Sequence, residues 1–207
     1  ASEGAYPVFV SPEHEKNPSA DVKRSNGGDW TVFSAAEHWA GERPGDIRIR
    51  KSSDHGLTWT GTLAIGDGRA LTDPSLRQVA DGTIGVAYVK DWDGADGDIY
   101  FARFDEALTS LAEFPVALNV SDQTHPALAT DRQVYAAPYI YIVYAEQEGP
   151  AGAIKFRVSP DLGGSWSRDA TIDSFPWPGG TAVETAMAFD PEKDALHVVY
   201  TCPQEES

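Results

Sequence analysis

Two octapeptides decide the fold of this chain: Ser52–Trp59 (SSDHGLTW) and Ser159–Trp166 (SPDLGGSW). Both fit the pattern Ser-x-Asp-x-Gly-x-[Thr/Ser]-Trp, whose fixed positions are Ser52, Asp54, Gly56, Trp59, Ser159, Asp161, Gly163 and Trp166. In a tight β-hairpin the Asp carboxylate accepts hydrogen bonds from loop amides, and Gly adopts a positive φ at little cost. The Trp then begins the next strand and buries its ring between sheets. Each octapeptide therefore predicts a hairpin.

The octapeptides occupy the same place in a repeat of about 50 residues. Three blocks begin alike, at Asn17-Pro18-Ser19, Asp73-Pro74-Ser75 and His125-Pro126-Ala127, and a weaker fourth begins at Glu184. The runs that follow them alternate and are rich in β-branched and aromatic residues, as strands are, and no helical period competes. Four short strands in a repeat of this length are typical of a β-propeller blade.

The sequence therefore predicts an all-β protein, a β-propeller with about three complete four-stranded blades and partial blades at its ends. We treat residues 1–207 as one incomplete propeller domain, with blades at about 17–66, 73–120 and 125–173 and a partial blade at 184–201. Tyr6 to Val10 is expected to be the outermost strand of a preceding blade.

An incomplete blade exposes strand edges, which proteins normally cover or pair. Three completions are open: a longer chain that forms a six- or seven-bladed propeller, two copies that associate, or a small ring in which the first strand returns to the last blade. We favour the longer chain. The sequence begins at Ala1 without an initiator Met and is expected to be processed, trimmed or cut from something longer.

Composition excludes several classes of function. The formal net charge of −16, from 32 acidic and 16 basic residues, argues against nucleic-acid binding and leaves room for bound cations. The longest apolar run, around residues 139–145, is far shorter than the roughly 20 residues of a membrane-spanning helix. The single cysteine, Cys202, excludes an internal disulfide framework.

The octapeptides resemble the Asp-box, or bacterial neuraminidase repeat, of sialidases and many other secreted propellers. The resemblance implies a sialidase-like propeller that is extracellular, secreted or periplasmic, and in that family the Asp-boxes are structural. They indicate a fold and not an activity.

We carry over no catalytic residue of sialidases to this chain. Those enzymes bind the substrate carboxylate with three arginines, the first in a Phe-Arg-Ile-Pro motif, whereas Lys16 and Asn17 precede Pro18 in this chain. The pair Ala36-Glu37 is followed by His38-Trp39 in place of the family's Gly-Arg, and no Tyr–Glu nucleophile pair can be assigned. We therefore expect no sialidase activity.

Propeller geometry places the blade starts and the loops between second and third strands on one face, opposite the octapeptide hairpins. Ligands prefer such convergent concave ends. The blade-start residues Asn17, Asp73, His125 and Glu184 are expected to point toward the central axis. They are suited to a cation or a sugar hydroxyl, although capping the strands beside a water-filled channel is the favoured alternative.

The loops on this face carry further ligand-binding candidates, namely Glu37, Trp39, Arg43, Trp92 and Trp177. Aromatic rings beside carboxylates form sugar platforms, because a flat ring packs against the apolar face of a pyranose. The alternative is that these tryptophans fold back as local cores.

An acidic run in the second blade is a candidate calcium site, with Asp91, Asp93, Asp96 and Asp98 as ligands. Ala95 occupies the third ligand position of a calcium loop, so a solvated acidic loop is favoured. The sequence requires no cofactor and leaves calcium as the one candidate.

Two functions remain open at the level of sequence. The first is a carbohydrate-active propeller that binds or hydrolyses a neutral glycan, with Asp73 and either Glu184 or Asp91 as the carboxylate pair. The second is a non-catalytic scaffold that holds a protein partner on the same loops.

Overall fold

The computed structural model describes residues 14–24, 29–80, 82–91, 96–132, 134–177 and 182–202. Its regular elements are strands: β1 His14–Arg24, β2 Trp30–Ala40, β3 Arg43–Ser52, β4 Thr60–Ile65, β5 Leu71–Ala80, β6 Thr83–Asp91, β7 Gly97–Asp105, β8 Ser110–Ala117, β9 Asp122–Thr130, β10 Ile140–Glu148, β11 Ala151–Ser159, β12 Ala170–Pro176, β13 Thr185–Asp190 and β14 Ala195–Tyr200. Within these ranges no helix has the length and apolar character needed to cross a membrane.

The strands form a β-propeller. β1–β4, β5–β8 and β9–β12 are antiparallel four-stranded sheets in sequence order, and β13 pairs with β14. The first strands contact one another in succession, β1 with β5, β5 with β9 and β9 with β13, so they surround a common axis. The predicted all-β propeller is confirmed. The strand expected at Tyr6 to Val10 lies outside the described residues, and the total number of blades stays a prediction.

Apolar clusters fill the spaces between successive sheets. Phe33, Ile47 and Tyr88 lie in the cluster between the first two sheets. Phe101 and Ile142 belong to the next cluster. Because β6, the second strand of its sheet, packs against an apolar cluster on each face, it is almost continuously buried and does not alternate between buried and exposed positions.

Each of the first three inner strands carries a β-bulge at its X-Pro pair. The pairing register shifts at Asn17, Asp73 and His125, and these residues have φ values of 46°, 52° and 49°. The proline that follows each of them has no amide hydrogen for the ladder, which favours a bulge. Three equivalent side chains are thereby turned out of the regular pleat at the same level of the axis.

The two octapeptides form the predicted hairpins with the same hydrogen bonds. Oδ1 of Asp54 accepts the Thr58 amide at 2.8 Å, and Oδ1 of Asp161 accepts the Ser165 amide at 2.8 Å. In each hairpin the Ser hydroxyl at the first position donates to the same Oδ1 atom. Trp166 packs edge-on against Phe101 of the neighbouring sheet, with ring centroids 5.7 Å apart.

Strand register places these hairpins and the blade starts at opposite ends of the sheets. His14, at the start of β1, pairs with Trp39. Ser52, which opens the first hairpin, pairs with Val32, and Val32 pairs with Val22 near the end of β1. Trp39 therefore lies at the end of the sheet away from the octapeptide hairpin.

Candidate functional site

The four blade-start residues line a single open cavity. Asn17, Asp73, His125 and Glu184 surround about 340 Å³ at the end of the axis where the inner strands begin. The bulges deliver the first three side chains, and Glu184 directly precedes β13. The sequence therefore identified a group of residues that the fold does bring together. We call this space the central cavity.

A buried carboxylate supports the cavity from the first sheet. Glu37, with 1% of its surface exposed, accepts Asn17 Nδ2 at 2.6 Å and the backbone amide of Asp73 at 2.7 Å on Oε1. Its Oε2 accepts Trp39 Nε1 at 2.7 Å. Glu37 thus positions β1, β5 and the Trp39 ring. Because Glu37 is buried, its position does not support the prediction that it contacts a ligand directly.

Asp73 is the most enclosed acid that lines the cavity, with a side chain 16% exposed. Its Oδ1 accepts Asn17 Nδ2 at 3.0 Å, and its carboxylate also accepts the backbone amide of His125. Burial raises the pKa of Asp73 above the usual aspartate value, the neighbouring His125 opposes that rise, and the negative charges of Glu37 and Glu184 add to it. The protonated form of Asp73 is therefore favoured relative to a solvated aspartate.

His125 lies between the two carboxylates that face the cavity. Its Nε2 is 3.9 Å from Asp73 Oδ2 and 3.5 Å from Glu184 Oε1. Asp73 Oδ2 and Glu184 Oε1 are therefore separated by no more than these two distances taken together. Its Nδ1 is buried without a hydrogen-bond partner among the residues described, and the Thr185 hydroxyl donates to its carbonyl oxygen. Glu184 contrasts with Asp73 because 66% of its side chain is exposed.

Trp39 lies beside this network, half-buried, with Lys16 over one face. Lys16 Nζ is 3.5 Å from the centre of the Trp39 ring, which is cation–π geometry. Sequence reasoning missed Lys16 as a neighbour of this ring. The pairing of Lys16 with Glu37 across β1 and β2, two residues before Trp39, was the signal that could have found it.

Other predicted site residues lie elsewhere. Trp177 is 5% exposed and packs over Gly152 and against Phe175, so the expectation of an exposed sugar platform there is wrong. Arg43 is exposed at the start of β3 and does not line the central cavity. Asp91, at the end of β6, is likewise absent from the lining, so Asp73 and Glu184 are the predicted carboxylates that meet there.

The candidate calcium site is only partly visible. Trp92 and Asp93 lie outside the described residues, whereas Asp96 and Asp98 flank the start of β7. Burial raises the pKa of Asp98. In the part of the chain that the structure covers, no group of three or more His, Cys, Asp or Glu side chains is arranged to hold a metal ion. Calcium binding stays a prediction.

Comparison with known proteins adds a likeness of fold. No protein-family model matches the sequence, and no curated protein matches it. Among solved structures, an α-L-arabinofuranosidase from Fusarium graminearum has a TM-score of 0.63 at 14% identity, over 90% of this chain and 58% of the enzyme. An endo-arabinase from Bacteroides thetaiotaomicron has a TM-score of 0.61 at 18% identity, over 99% of this chain and 78% of the enzyme.

A polysaccharide lyase that acts as an ulvan lyase is also similar, with a TM-score of 0.57 at 13% identity over 86% of this chain. The alignment spans 48% of that lyase and 58% of the arabinofuranosidase, which is less than two thirds of either protein. At these identities the likeness establishes a shared fold and leaves activity to the site itself.

Proposed function

We propose that this chain forms part of a carbohydrate-active propeller that binds a neutral glycan in the central cavity and hydrolyses it. The observation that carries the proposal is the meeting of Asp73 and Glu184 on either side of His125 at the mouth of an open cavity. The arabinofuranosidase and the endo-arabinase with the same fold support it, since both act on glycans.

The two carboxylates differ in the way that glycoside hydrolysis requires. One carboxyl group must be protonated to donate to the leaving oxygen, and the other must be ionised to activate water or attack the sugar. Asp73, enclosed and with a raised pKa, is assigned the acid; Glu184, largely exposed, is assigned the carboxylate. The Asp73 proton passes to the glycosidic oxygen as the C–O bond breaks, and the attacking water gives its proton to Glu184.

Charge supports a neutral substrate for this cavity. Glu37, Asp73 and Glu184 all lie at or next to the reacting position, in a chain of net charge −16. An anionic sugar would need an arginine clamp to offset that charge. We accordingly expect no turnover of a fluorogenic sialoside, and turnover would contradict this assignment.

The test is hydrolysis of a panel of nitrophenyl glycosides and neutral polysaccharides, including arabinan and galactan. Asp73→Asn and Glu184→Gln should each lower kcat by at least about 100-fold with the fold retained, because each removes one proton-transfer group. Glu192→Gln, at an exposed turn outside the cavity, is the matched control and should keep full activity. Undiminished turnover in Asp73→Asn would overturn the assignment.

A non-catalytic binding propeller is the second candidate, and one observation favours it. Asp73 already accepts hydrogen bonds from Asn17 and from the His125 amide, which gives its carboxylate a structural role. Affinity electrophoresis on the same polysaccharides separates the two. Binding without hydrolysis supports a glycan-binding module, and failure on both counts supports a protein-binding scaffold, whose partner a pull-down would recover.

The Asp-box assignment and an extracellular or periplasmic location belong to this proposal. The shared hydrogen bonds of the Asp54 and Asp161 hairpins support the first. A longer open reading frame with a secretion signal would support the second.

The completion of the propeller has its own test. Further blades in a longer open reading frame would support a longer chain, whereas a native mass of two chains would favour closure of the propeller by self-association.

A further inference from the structure

The axial channel has a second cavity at its other end. It holds about 170 Å³ and is lined by residues that include two arginines, Arg77 and Arg132, one carboxylate, Asp21, and the apolar Phe189. Arg77 also lines the central cavity, so the two spaces lie along one axis. This second cavity, which we call the lower cavity, lies where the inner strands end and uses none of the residues assigned to glycan hydrolysis.

Comparison of the repeats shows that Arg77 stands where the preceding blade has Asp21. Ser19 Oγ accepts the Leu76 amide at 2.9 Å, and Ser75 Oγ accepts the Leu128 amide at 3.0 Å, so Ser19 and Ser75 are equivalent. Two residues after Ser19, Asp21 accepts the amide of Gln78 at 2.8 Å. Two residues after Ser75 stands Arg77. Arg77, a cationic donor, therefore stands in β5 at the position where β1 of the preceding blade has the acceptor Asp21.

Among the residues that the structure describes, neither arginine of the lower cavity forms an ion pair with a carboxylate. Arg77 Nη1 donates to the Leu76 carbonyl at 2.6 Å, which leaves its other N–H groups available. Across the described ranges, the ion pairs within 4 Å include neither Arg77 nor Arg132.

Asp21, which lines the lower cavity, and Asp131 accept hydrogen bonds from groups other than these arginines. Asp21 accepts the amides of Val22 and Gln78, one on each oxygen. Asp131, next to Arg132 in the chain, accepts the Tyr139 amide at 2.7 Å and the Tyr141 hydroxyl at 2.8 Å. Asp21 therefore adds one negative charge to a wall that carries two guanidinium groups, and its oxygens already accept backbone amides.

We propose that the lower cavity binds an oxyanion, a carboxylate, sulfate or phosphate group, between the guanidinium groups of Arg77 and Arg132. Guanidinium groups match planar and tetrahedral oxyanions with paired N–H donors. Met187 and Phe189 form an apolar part of the wall, which strengthens the attraction by lowering the local dielectric. Two sources fit this chemistry: a free inorganic anion and the acidic group of a charged saccharide.

The test is a heteronuclear NMR titration of the whole chain with sodium sulfate, sodium phosphate and sodium galacturonate, each against sodium chloride at equal ionic strength. We expect saturable shifts at the amides of Thr130 and Arg132 with at least one of the three oxyanions. Tighter binding of galacturonate identifies a saccharide acid as the ligand, and tighter binding of sulfate or phosphate identifies an inorganic anion.

Arg132→Gln should weaken the apparent affinity by about tenfold, because it removes one charge-assisted contact. Arg168→Gln, at an exposed position that lines neither cavity, should leave it unchanged. Arg132 follows β9 in a turn, and Arg77→Gln provides a second variant within the sheet. Shifts that chloride reproduces, or that both Arg132→Gln and Arg77→Gln retain in full, would overturn the proposal.

Discussion

Asp73 has a backbone conformation that its surroundings must maintain. A non-glycine residue with a positive φ costs on the order of 1–3 kcal/mol, and Asp73 has a φ of 52° directly before Pro74. The Glu37 carboxylate accepts the Asp73 amide, while Asn17 holds the Asp73 side chain. Strain and desolvation thus coincide at the residue assigned as the acid, a combination that functional sites often show.

The raised pKa of Asp73 has a consequence for stability. The folded state binds the Asp73 carboxyl proton more tightly than the unfolded state does. The contribution of Asp73 to stability therefore falls as the pH rises from the unfolded pKa through the raised folded pKa. At about pH 7 the wild type bears the cost of an ionised, enclosed Asp73, and at about pH 3 the side chains of Asp73 and of its Asn replacement are both neutral. We therefore expect the Tm of Asp73→Asn, relative to that of the wild type, to be higher at about pH 7 than at about pH 3. Calorimetry at the two pH values measures the difference.

Glu148→Gln, at an exposed position, is the control for the Asp73 experiment and should shift Tm equally little at both pH values. If Asp73→Asn lowered Tm more at the higher pH than at the lower, the assigned direction of the Asp73 pKa shift would be wrong.

At the scale of the element, the hairpins between third and fourth strands share one hydrogen bond even where the octapeptide is lost. In the second sheet, Asp105 Oδ1 accepts the amide of Thr109 at 2.7 Å, four residues on, as Asp54 and Asp161 do in theirs. Leu108 there has a φ of 63°. The Asp is therefore the part of the motif that the hairpin needs, while Gly and Trp adapt each turn to its neighbours.

Gly56 and Gly163 occupy equivalent positions but have different surroundings. Their φ values are 87° and 90°, so backbone strain on substitution is similar. A Cβ at Gly163 would lie 2.5 Å from Cδ1 of Phe101 in the next sheet, whereas at Gly56 the nearest atom, on Trp59, is 3.9 Å away.

We expect Gly163→Ala to lower the free energy of unfolding by about 1–3 kcal/mol more than Gly56→Ala, because only the first overpacks a core. Denaturant unfolding of the two variants gives the comparison, with each serving as the strain control for the other. Equal losses would mean that Phe101 moves aside freely and that this inter-sheet contact is soft.

At the scale of the whole molecule, side chains of one blade cap the inner strand of the next. Ser19 accepts an amide of β5, and Ser75 accepts an amide of β9. The third block has Ala127 in place of this serine, and there the Thr185 hydroxyl donates to the His125 carbonyl instead. The inner strands need such acceptors because the edges that face the axis have no ladder partner.

Ser75→Ala should lower the free energy of unfolding by about 1–3 kcal/mol, because it leaves the buried Leu128 amide without an acceptor. Ser110→Ala, at the exposed start of β8, should change it by less than about 0.5 kcal/mol. Denaturant titrations and the hydrogen-exchange rate of the Leu128 amide measure both effects. An unchanged exchange rate would show that this amide does not depend on the Ser75 hydroxyl.

The sequence alone determined the blade architecture and the convergence of the blade-start residues. Strand alternation, the X-Pro pairs that open each block and the Asp-bearing turns are local patterns, and a rotational repeat places equivalent positions together around an axis. Asp73 and His125 could therefore be assigned to one site from the sequence.

Only the tertiary structure decided what covers each side chain. Trp177 is buried against Gly152, Glu37 accepts donors from two blades, and Arg77 faces an end of the channel where the preceding blade has Asp21. These outcomes depend on contacts between residues far apart in sequence, and burial and hydrogen-bond partners are settled by how the sheets stack, which no local pattern contains.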